Sequence, residues 1–288
     1  MKRNAHKFID RVNNIKRATS SFFINIVLII ISIISIYPFF WMIFSSLKTA
    51  GEFDKNPVGL PKKLYFENYI HIIKESLMVK FMLNSTIITF ISLTLILSIG
   101  FVTGYLLSRV KFKGRNILYS YYIIGILVPV HSLLIPIYIL TNKIGLVDNI
   151  GGVILPYVAF SLPIAVFLIE SYLRNIPKEM EEAANIDGAS FTRTMFTIIL
   201  PISKPILVTV AIIQLFYCWN EFIFALVLLN DPNKFTVPLG LTWFKGPYSD
   251  NYPMIMSGVI TSIIPITILY FILSGNIIKS MAAGAIKG

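Results

Sequence analysis

Two runs without a charged side chain constrain the fold of this chain most. Residues 18–47 and residues 81–108 contain no Asp, Glu, Lys or Arg, and most of their side chains are apolar. A helix of about 20 apolar residues is long enough to span the hydrocarbon core of a bilayer. The whole chain is 56% hydrophobic and 14% charged, which is far from the composition of an ordinary soluble domain. The sequence therefore predicts an all-α integral membrane protein.

Four further apolar stretches bring the prediction to six transmembrane helices. They cover residues 116–142, 149–169, 205–230 and 251–278. The third and fourth spans contain four prolines, Pro129, Pro136, Pro156 and Pro163. We expect kinks there because proline removes a backbone hydrogen-bond donor. In the second span Gly100, Gly104 and Ser108 recur every four residues, which predicts close approach of another helix.

The distribution of basic residues predicts the side of the membrane on which each connecting segment lies. Residues 1–17 carry six Lys or Arg, and residues 109–115 carry four. If both segments are inside, the inner segments hold 16 basic residues and the outer segments hold 9, as the enrichment of Lys and Arg in cytoplasmic loops requires. Both termini are therefore predicted to be cytoplasmic. The first apolar run is expected to be a retained helix and not a cleaved signal peptide.

Composition and motifs exclude several classes of function. The net charge of +11 is spread over short segments between apolar runs, so we attribute it to membrane topology and expect no nucleic-acid binding. The single cysteine, Cys218, excludes an internal disulfide. The sequence has no phosphate-binding loop, no metal-binding cluster and no hydrolase nucleophile motif. We therefore predict that the chain is not an enzyme and holds no metal.

Residues 177–201 form a charged, helix-forming segment between the fourth and fifth spans. Pro177 suits the first turn of a helix, where its missing N–H costs nothing. Three carboxylates favoured by the helix dipole follow, from Glu179, Glu181 and Glu182. Gly188 is the expected end of this helix, and Ser190 is the expected cap of a second short helix that runs to Pro201.

The first of these helices has one small, apolar face. Met180, Ala184 and Gly188 stand four residues apart with Ala183 beside them, and carboxylates flank them. Such a ridge predicts docking into a groove of a partner protein. The alternative is an amphipathic helix on the lipid surface, but such helices favour Lys, Arg and bulky apolar residues.

This segment contains Glu182-Ala183-Ala184, Gly188 after three residues, Ile198 after nine more, and Leu200-Pro201 after another one. The residues and their spacing resemble those of the EAA loop of ABC importer permeases. The resemblance implies the transmembrane domain fold of a type I ABC importer, in which this loop is a cytoplasmic coupling helix that inserts into the ATPase subunit. It assigns ATPase coupling to Glu182, Ala183, Ala184, Asp187 and Gly188.

The same resemblance divides the chain into three parts. Residues 1–79 would hold a cytoplasmic tail, the first transmembrane helix and the first external loop. Residues 80–278 would form the permease domain, with the coupling loop at 173–204, and residues 279–288 would form a cytoplasmic tail.

Other stretches resemble the maltose-type permease with the shorter chain. They are Trp219–Phe222, Ala225-Leu226, Val237–Leu241 and Ala282–Gly288. The resemblance implies ATP-driven import of a carbohydrate across the plasma membrane by alternating access. It also implies a second related permease, two ATPase subunits that bind ATP and Mg²⁺, and an extracytoplasmic sugar-binding protein as partners. No cofactor is expected in this chain itself.

Glu221 is the one acidic residue deep in a predicted span, and it follows Asn220. A carboxylate is costly inside a membrane, so both residues are candidates for the substrate pathway. Hydrogen bonding to a neighbouring helix is the alternative role. The competing class of function is an ion-coupled secondary transporter or channel that uses Glu221 and His131. A membrane-embedded enzyme is a third class, but it lacks a catalytic constellation in this sequence.

The predicted topology can be tested with an impermeant external thiol reagent. Cysteines introduced at Lys113 and Arg193 should be shielded from the reagent, because both positions are predicted to be cytoplasmic. Cysteines introduced at Lys63 and Asp250 should react. Labelling of the first pair and protection of the second would rule out the six-span topology.

Overall fold

The computed structural model describes the backbone of residues 2–74, 76–244 and 251–285 and the side chains of residues 21–22, 24–74, 76–242, 244 and 251–272. All regular structure in the described residues is helical. The α-helices are α1 (Lys2–Ser46), α2 (Ala50–Lys55), α3 (Glu67–Lys74), α4 (Met78–Arg109), α5 (Arg115–Leu127), α6 (Leu134–Lys143), α7 (Ile150–Arg174), α8 (Glu179–Ile186), α9 (Phe191–Arg193), α10 (Leu200–Ile202), α11 (Lys204–Asn220), α12 (Ile223–Leu228), α13 (Val237–Leu241) and α14 (Tyr252–Ala285). The chain forms two compact units, residues 1–68 with 251–257 and residues 69–250 with 258–288.

Among the described residues, four helices are long and apolar enough to cross a membrane. They lie at Ile24–Ser46, Met78–Arg109, Ile150–Arg174 and Tyr252–Ile272. Two bent pairs of helices also qualify, Arg115–Leu127 with Val130–Lys143 and Phe191–Ile202 with Lys204–Asn220. If each bent pair is one span, the total is six. The all-α membrane fold predicted from the sequence is confirmed.

The first unit joins the end of α1 to a folded segment that the sequence predicted as a loop. The Lys48 side chain is fully buried, and its Nζ donates to the carbonyl of Asn56 at 2.8 Å. The Asn68 amide donates to the carbonyls of Ser46 and Lys48 at 2.8 and 2.9 Å. These bonds satisfy carbonyls at the end of α1, where the helix itself supplies no donor. Every described side chain between residues 24 and 40 is exposed.

The core of the second unit is the contact between α4 and α7. A Cβ atom added at Gly104 would lie 2.9 Å from the Ile169 Cγ2 atom and 3.2 Å from the backbone nitrogen of Glu170. A Cβ atom added at Gly100 would lie 3.3 Å from the Ala165 Cβ atom. Only glycine allows the two helices to approach so closely. The close packing predicted from the spacing of Gly100 and Gly104 is confirmed.

Only one of the four prolines in the third and fourth spans interrupts its helix. The third span stops at Leu127, and Pro129 leads into a 3₁₀ turn, Val130–Leu133, so that the flanking helices meet at 96°. Pro136 lies in the first turn of α6, where a missing N–H removes no helical bond. The other two prolines, Pro156 and Pro163, lie inside the uninterrupted α7. The prediction of kinks is thus confirmed at Pro129, and the structure has no helix break at the other three positions.

The predicted fifth span, residues 205–230, contains a break at Glu221. Helix α11 ends at Asn220, Glu221 has an extended backbone (φ −67°, ψ 130°), and α12 begins at Ile223. The apolar composition of this stretch gave no sign of the break. The backbone amides at the start of α12 have no helical acceptor. The Glu221 carboxylate accepts hydrogen bonds from two of them.

Asp148 joins the start of α7 to the segment that follows α12. Its Oδ1 atom accepts from the backbone amides of Asn230 and Asp231, each at 3.0 Å, and its Oδ2 atom accepts from Lys234 Nζ at 2.7 Å. These bonds lower the pKa of Asp148 to about 2, the Asp231 amide having the largest effect. Because the pKa is lowered, the stabilisation is present at neutral pH and is lost as the pH falls through about 2.

Asp148 has a positive φ of 56°, a conformation that asparagine tolerates better than other residues with a side chain. Asp148→Asn keeps an acceptor for the two amides, whereas Asp148→Ala removes it. We expect hydrogen exchange at Asn230 and Asp231 to accelerate about fivefold to tenfold in Asp148→Ala and much less in Asp148→Asn. Equal exchange in the two variants would show that Asp148 does not hold this segment.

Candidate functional site

Helix α8 begins two residues after Pro177, so Pro177 lies outside the helix. The helix starts at Glu179, Lys178 is its N-cap residue, and Pro177 precedes the cap. Pro177 was predicted within the first helical turn, so that position is corrected. Three glutamates do occupy the first turn as predicted, Glu179, Glu181 and Glu182. Their charge is favourable beside the free N–H groups of the helix start.

Gly188 ends α8 as predicted, and it does so with a positive φ of 78°. The Gly188 amide donates to the Asn185 carbonyl at 3.0 Å, and the Ala189 amide donates to the Ala184 carbonyl at 2.9 Å. This pair of bonds is the Schellman motif, which favours glycine at the left-handed position. No atom of the described chain lies within 4 Å of a Cβ atom added at Gly188, so backbone conformation and not crowding within the chain selects glycine.

The second helical segment starts as predicted and ends later than predicted. The Ser190 hydroxyl accepts from the Arg193 amide at 3.4 Å and caps α9. A π-helical turn, Thr194–Ile199, follows, and α10 continues to Ile202. The chain then bends by 72° before α11. The break therefore lies at Ser203 and not at Pro201, since a proline near the start of a short helix removes no helical bond.

The exposed face of α8 differs from the predicted ridge. Ala184 is 5% exposed and faces its own chain, where α8 packs against the π-helical turn. Ile186, by contrast, is 85% exposed. The other predicted coupling residues are all exposed, namely Glu182, Ala183, Asp187 and Gly188. Ala184 is thus the buried residue through which α8 packs on its own chain, whereas Met180 of the predicted ridge is exposed. The surface open to a partner includes these four residues, Met180 and Ile186.

An ion pair that the sequence did not predict holds α8 against α4. Arg109 Nε lies 2.6 Å from Glu181 Oε1, and the two side chains are 4% and 16% exposed. Arg109 Nη2 also donates to the carbonyl of Ile176 at 2.8 Å, and the Tyr105 hydroxyl donates to Glu181 Oε2 at 3.4 Å. Arg109 was interpreted only as part of a basic topology signal. The pattern Glu181-Glu182 in the sequence does not say which of the two carboxylates faces inward.

A second buried carboxylate, that of Glu170, contacts two more arginines. Glu170 is 1% exposed, and its Oε1 atom lies 2.6 Å from Arg174 Nε and 3.5 Å from Arg115 Nη2. Arg115 Nε also donates to the Leu107 carbonyl at 2.6 Å, and the Arg174 guanidinium lies 5.7 Å from the centre of the Tyr119 ring. Glu170 falls one residue beyond the predicted fourth span, and its contacts with arginine were not predicted from the sequence. Together these contacts join the ends of α4, α5 and α7.

The two candidate residues for the substrate pathway lie at the break between α11 and α12. The Glu221 carboxylate accepts from the backbone amides of Phe224 and Ala225, at 2.8 and 3.4 Å. The Asn220 side chain is exposed, and its amide donates to the Phe216 carbonyl at 2.9 Å. Capping of α12 is thus a structural role for Glu221, while contact with substrate stays a prediction for both residues.

No group of three or more His, Cys, Asp or Glu side chains within the described residues is placed to hold a metal ion. His131 lies exposed in the 3₁₀ turn after Pro129. Cys218 is buried and free.

Comparison with known proteins identifies the family. Residues 96–282 match the family described as "Binding-protein-dependent transport system inner membrane component". The chain is 42% identical over 258 residues, 89% of its length and 94% of the relative's, to a protein of Caldicellulosiruptor sp. described as an ABC transporter permease. It is 33% identical to the trehalose/maltose transport system permease protein MalG of Thermococcus litoralis, over 90% of this chain and 94% of that one.

The fold also matches a solved membrane transporter. A chain in the crystal structure of a bacterial ABC transporter involved in the import of the acidic polysaccharide alginate superposes with a TM-score of 0.78. The match covers 92% of this chain and 96% of that one, at 21% identity. This chain therefore belongs to the family of binding-protein-dependent transport system inner membrane components and is a permease subunit of an ABC importer, not an enzyme.

Proposed function

We propose that this permease carries a carbohydrate across the membrane by alternating access, driven by ATP hydrolysis on partner subunits. Coupling to the ATPase is inferred from the exposed face of α8. The Arg109–Glu181 ion pair holds the opposite side of this helix against α4. The cargo is inferred from relatives named for trehalose/maltose and for arabinooligosaccharides, the latter 34% identical in Halalkalibacterium halodurans.

The geometry of α8 suits insertion into a cleft of an ATPase subunit. Glu182 and Asp187 present carboxylates and Ile186 presents an apolar side chain on the open face. A central apolar anchor with charged neighbours is typical of a specific protein interface. The left-handed turn at Gly188 lets the chain leave the cleft without a side chain at that point.

The remaining partners follow from the same proposal. A second related permease pairs with this chain, and two ATPase subunits supply the sites for ATP and Mg²⁺. A sugar-binding protein delivers cargo from outside, as in the solved alginate transporter, which is described in complex with a pentasaccharide-bound periplasmic protein. With the sugar-binding protein on the outer side of the membrane, both termini and α8 lie in the cytoplasm. Closure of the ATPase dimer would move α8, and the ion pair would pass that movement to α4.

The function is tested with the purified complex in proteoliposomes, with ATP and Mg²⁺ enclosed with the ATPase subunits. Uptake of sugar should require both ATP and the loaded binding protein, and it should persist when an ionophore dissipates ion gradients. Uptake that follows an ion gradient without ATP would instead support the secondary transporter.

Substitution of Gly188 tests α8 as the coupling element. Gly188→Val should abolish stimulation of ATP hydrolysis by the loaded binding protein, because a β-branched residue at φ 78° costs about 1–2 kcal/mol or more. Glu182→Lys should have the same effect through charge reversal at the exposed face. Gly188→Asn is the control for backbone strain, since asparagine tolerates positive φ.

Comparison of Gly188→Asn with Gly188→Val separates the effect of backbone strain from the effect of a side chain at the partner surface. A loss of stimulation in Gly188→Asn as well as in Gly188→Val would mean that the partner surface leaves no room for a side chain. Full stimulation and full sugar uptake in Gly188→Val would mean that α8 is not the coupling element.

The neighbouring residues Glu181 and Glu182 should differ in their effect on stability. Glu181→Ala leaves the Arg109 guanidinium buried without its carboxylate and should cost about 3 kcal/mol. Glu182→Ala removes an exposed side chain and should change stability by less than about 0.5 kcal/mol. We therefore expect a lower Tm of the purified permease only in Glu181→Ala, with coupling reduced in both variants. Equal Tm values would contradict the buried ion pair.

A further inference from the structure

The segment between α4 and α5 carries positive charge that the chain itself does not use. Lys111 and Lys113 are exposed, and neither forms a hydrogen bond or an ion pair with another residue in the described part of the chain. Residues 76–147 contain no Asp or Glu, so no acidic side chain close in sequence offsets this charge. The flanking arginines differ, because Arg109 and Arg115 each form an ion pair within the chain. Two positive charges are thus left for a ligand outside the chain.

An open groove of about 590 Å³ lies at the same segment and is lined by residues 111–117. Gly114 turns the chain there with a φ of 93°, and α5 begins at the next residue. The groove is on the same side of the bundle as α8, because Arg109 at the end of α4 binds Glu181 of α8. Helix α4 is long enough to cross the membrane. A groove beside its end therefore lies at the membrane surface.

An apolar stripe on α5 continues from this groove. Its residues are each between 61% and 78% exposed, namely Ile117, Tyr121, Ile124 and Leu127. The first three are spaced by four and three residues and so share one face of the helix, and the fourth lies three residues further on. The stripe extends over ten residues, or about 15 Å, which is about half the hydrocarbon thickness of a bilayer. Because α5 packs against the spanning helix α7, the stripe follows one leaflet.

The groove and the stripe together match the two halves of a lipid molecule. Clusters of Lys and Arg at the membrane surface attract anionic headgroups, and lysine binds phosphate as a point charge. A free phosphate ion would leave the apolar stripe unused, and a lipid without net charge would leave the charge of the two lysines uncompensated. Membrane topology alone requires the lysines to lie on this side, but it does not require a groove between them.

We propose that one anionic phospholipid binds here, with its phosphate between Lys111 and Lys113 and an acyl chain along the stripe on α5. The bound lipid holds the segment that joins α4 to α5 at the membrane surface. This site is separate from the exposed face of α8 and from Glu221, and it does not depend on which cargo the permease carries.

The test measures lipid binding to the complete purified complex in a neutral detergent. Phosphatidylglycerol, which is anionic, or phosphatidylcholine, which has no net charge, is titrated in with identical acyl chains, and native mass spectrometry counts the bound molecules. Lys111→Gln with Lys113→Gln removes both charges of the groove, and Lys111→Arg with Lys113→Arg keeps them. Lys62→Gln with Lys63→Gln is the matched control, because it removes two exposed lysines that do not line the groove.

We expect the glutamine pair at Lys111 and Lys113 to bind one molecule of phosphatidylglycerol about 25-fold more weakly than the unmodified complex, about fivefold for each lysine. The arginine pair and the control pair should bind it as the unmodified complex does. Phosphatidylcholine should bind equally to all four complexes. Raising the salt concentration from about 0.15 to about 0.5 M should weaken the binding of phosphatidylglycerol, because exposed charges are screened.

Glycerol 3-phosphate distinguishes a lipid site from a site for soluble phosphate. It carries the phosphate group without acyl chains, so it should not displace phosphatidylglycerol from the unmodified complex. Displacement at equal concentration would show that the groove binds a soluble anion and that the lipid site is wrong.

Two further results would overturn the proposal. Equal affinity for phosphatidylglycerol in the glutamine pair and the control pair would leave the two lysines with a topological role only. Loss of the ATPase subunit from the glutamine pair, with lipid binding unchanged, would make the groove a contact with that subunit. Should the glutamine pair not assemble, the single variants Lys111→Gln and Lys113→Gln decide, each with an expected loss of about fivefold. Sugar uptake is measured separately, so failure of the lipid site leaves the proposed function standing.

Discussion

A chain that crosses lipid must satisfy its backbone hydrogen bonds within the protein, and this requirement shapes each irregular point of the second unit. At Glu221 the carboxylate binds the amides that begin α12. At Ser203, where the chain bends by 72°, the hydroxyl donates to the Ile199 carbonyl at 2.6 Å. At Pro129 a 3₁₀ turn bridges the break and a cavity lies next to it. The first two breaks carry their own side-chain partner, whereas the third is bridged by the backbone of the 3₁₀ turn.

The adjacent glutamates of α8 illustrate how one short helix can face two environments. Glu181 points into the chain and binds Arg109, while Glu182 is exposed. Residues one position apart on a helix differ by about 100° in direction, so such a pair cannot share a face. The inward carboxylate fixes the orientation of the helix, and that orientation decides which residues a partner meets. Without the ion pair, α8 would be joined to the bundle mainly by Ala184 and the π-helical turn.

The sequence predicted features that depend on local pattern and missed those that depend on long-range contact. Charge-free runs located the spans, the four-residue spacing of Gly100 and Gly104 predicted the α4–α7 contact, and Gly188 and Ser190 ended and began helices as expected. The break at Glu221 was missed because most residues of the stretch around it are apolar. The ion pair was missed because Arg109 and Glu181 are far apart in sequence. Ala184 was assigned to the partner surface because helical periodicity shows which residues share a face but not whether that face contacts the same chain or a partner.

The same helices that bound the cavity beside Pro129 also reach the coupling surface. Ser161 and Glu170 both lie on α7, nine residues apart, which corresponds to about 14 Å along the helix axis. Glu170 is bound by two arginines of α5 and α7, and α11, which carries Gln214, begins at the bend that follows the π-helical turn. Because a packed helix moves as a stiff body, a displacement of α8 that shifts α7 or α11 also displaces the residues at the far end of that helix.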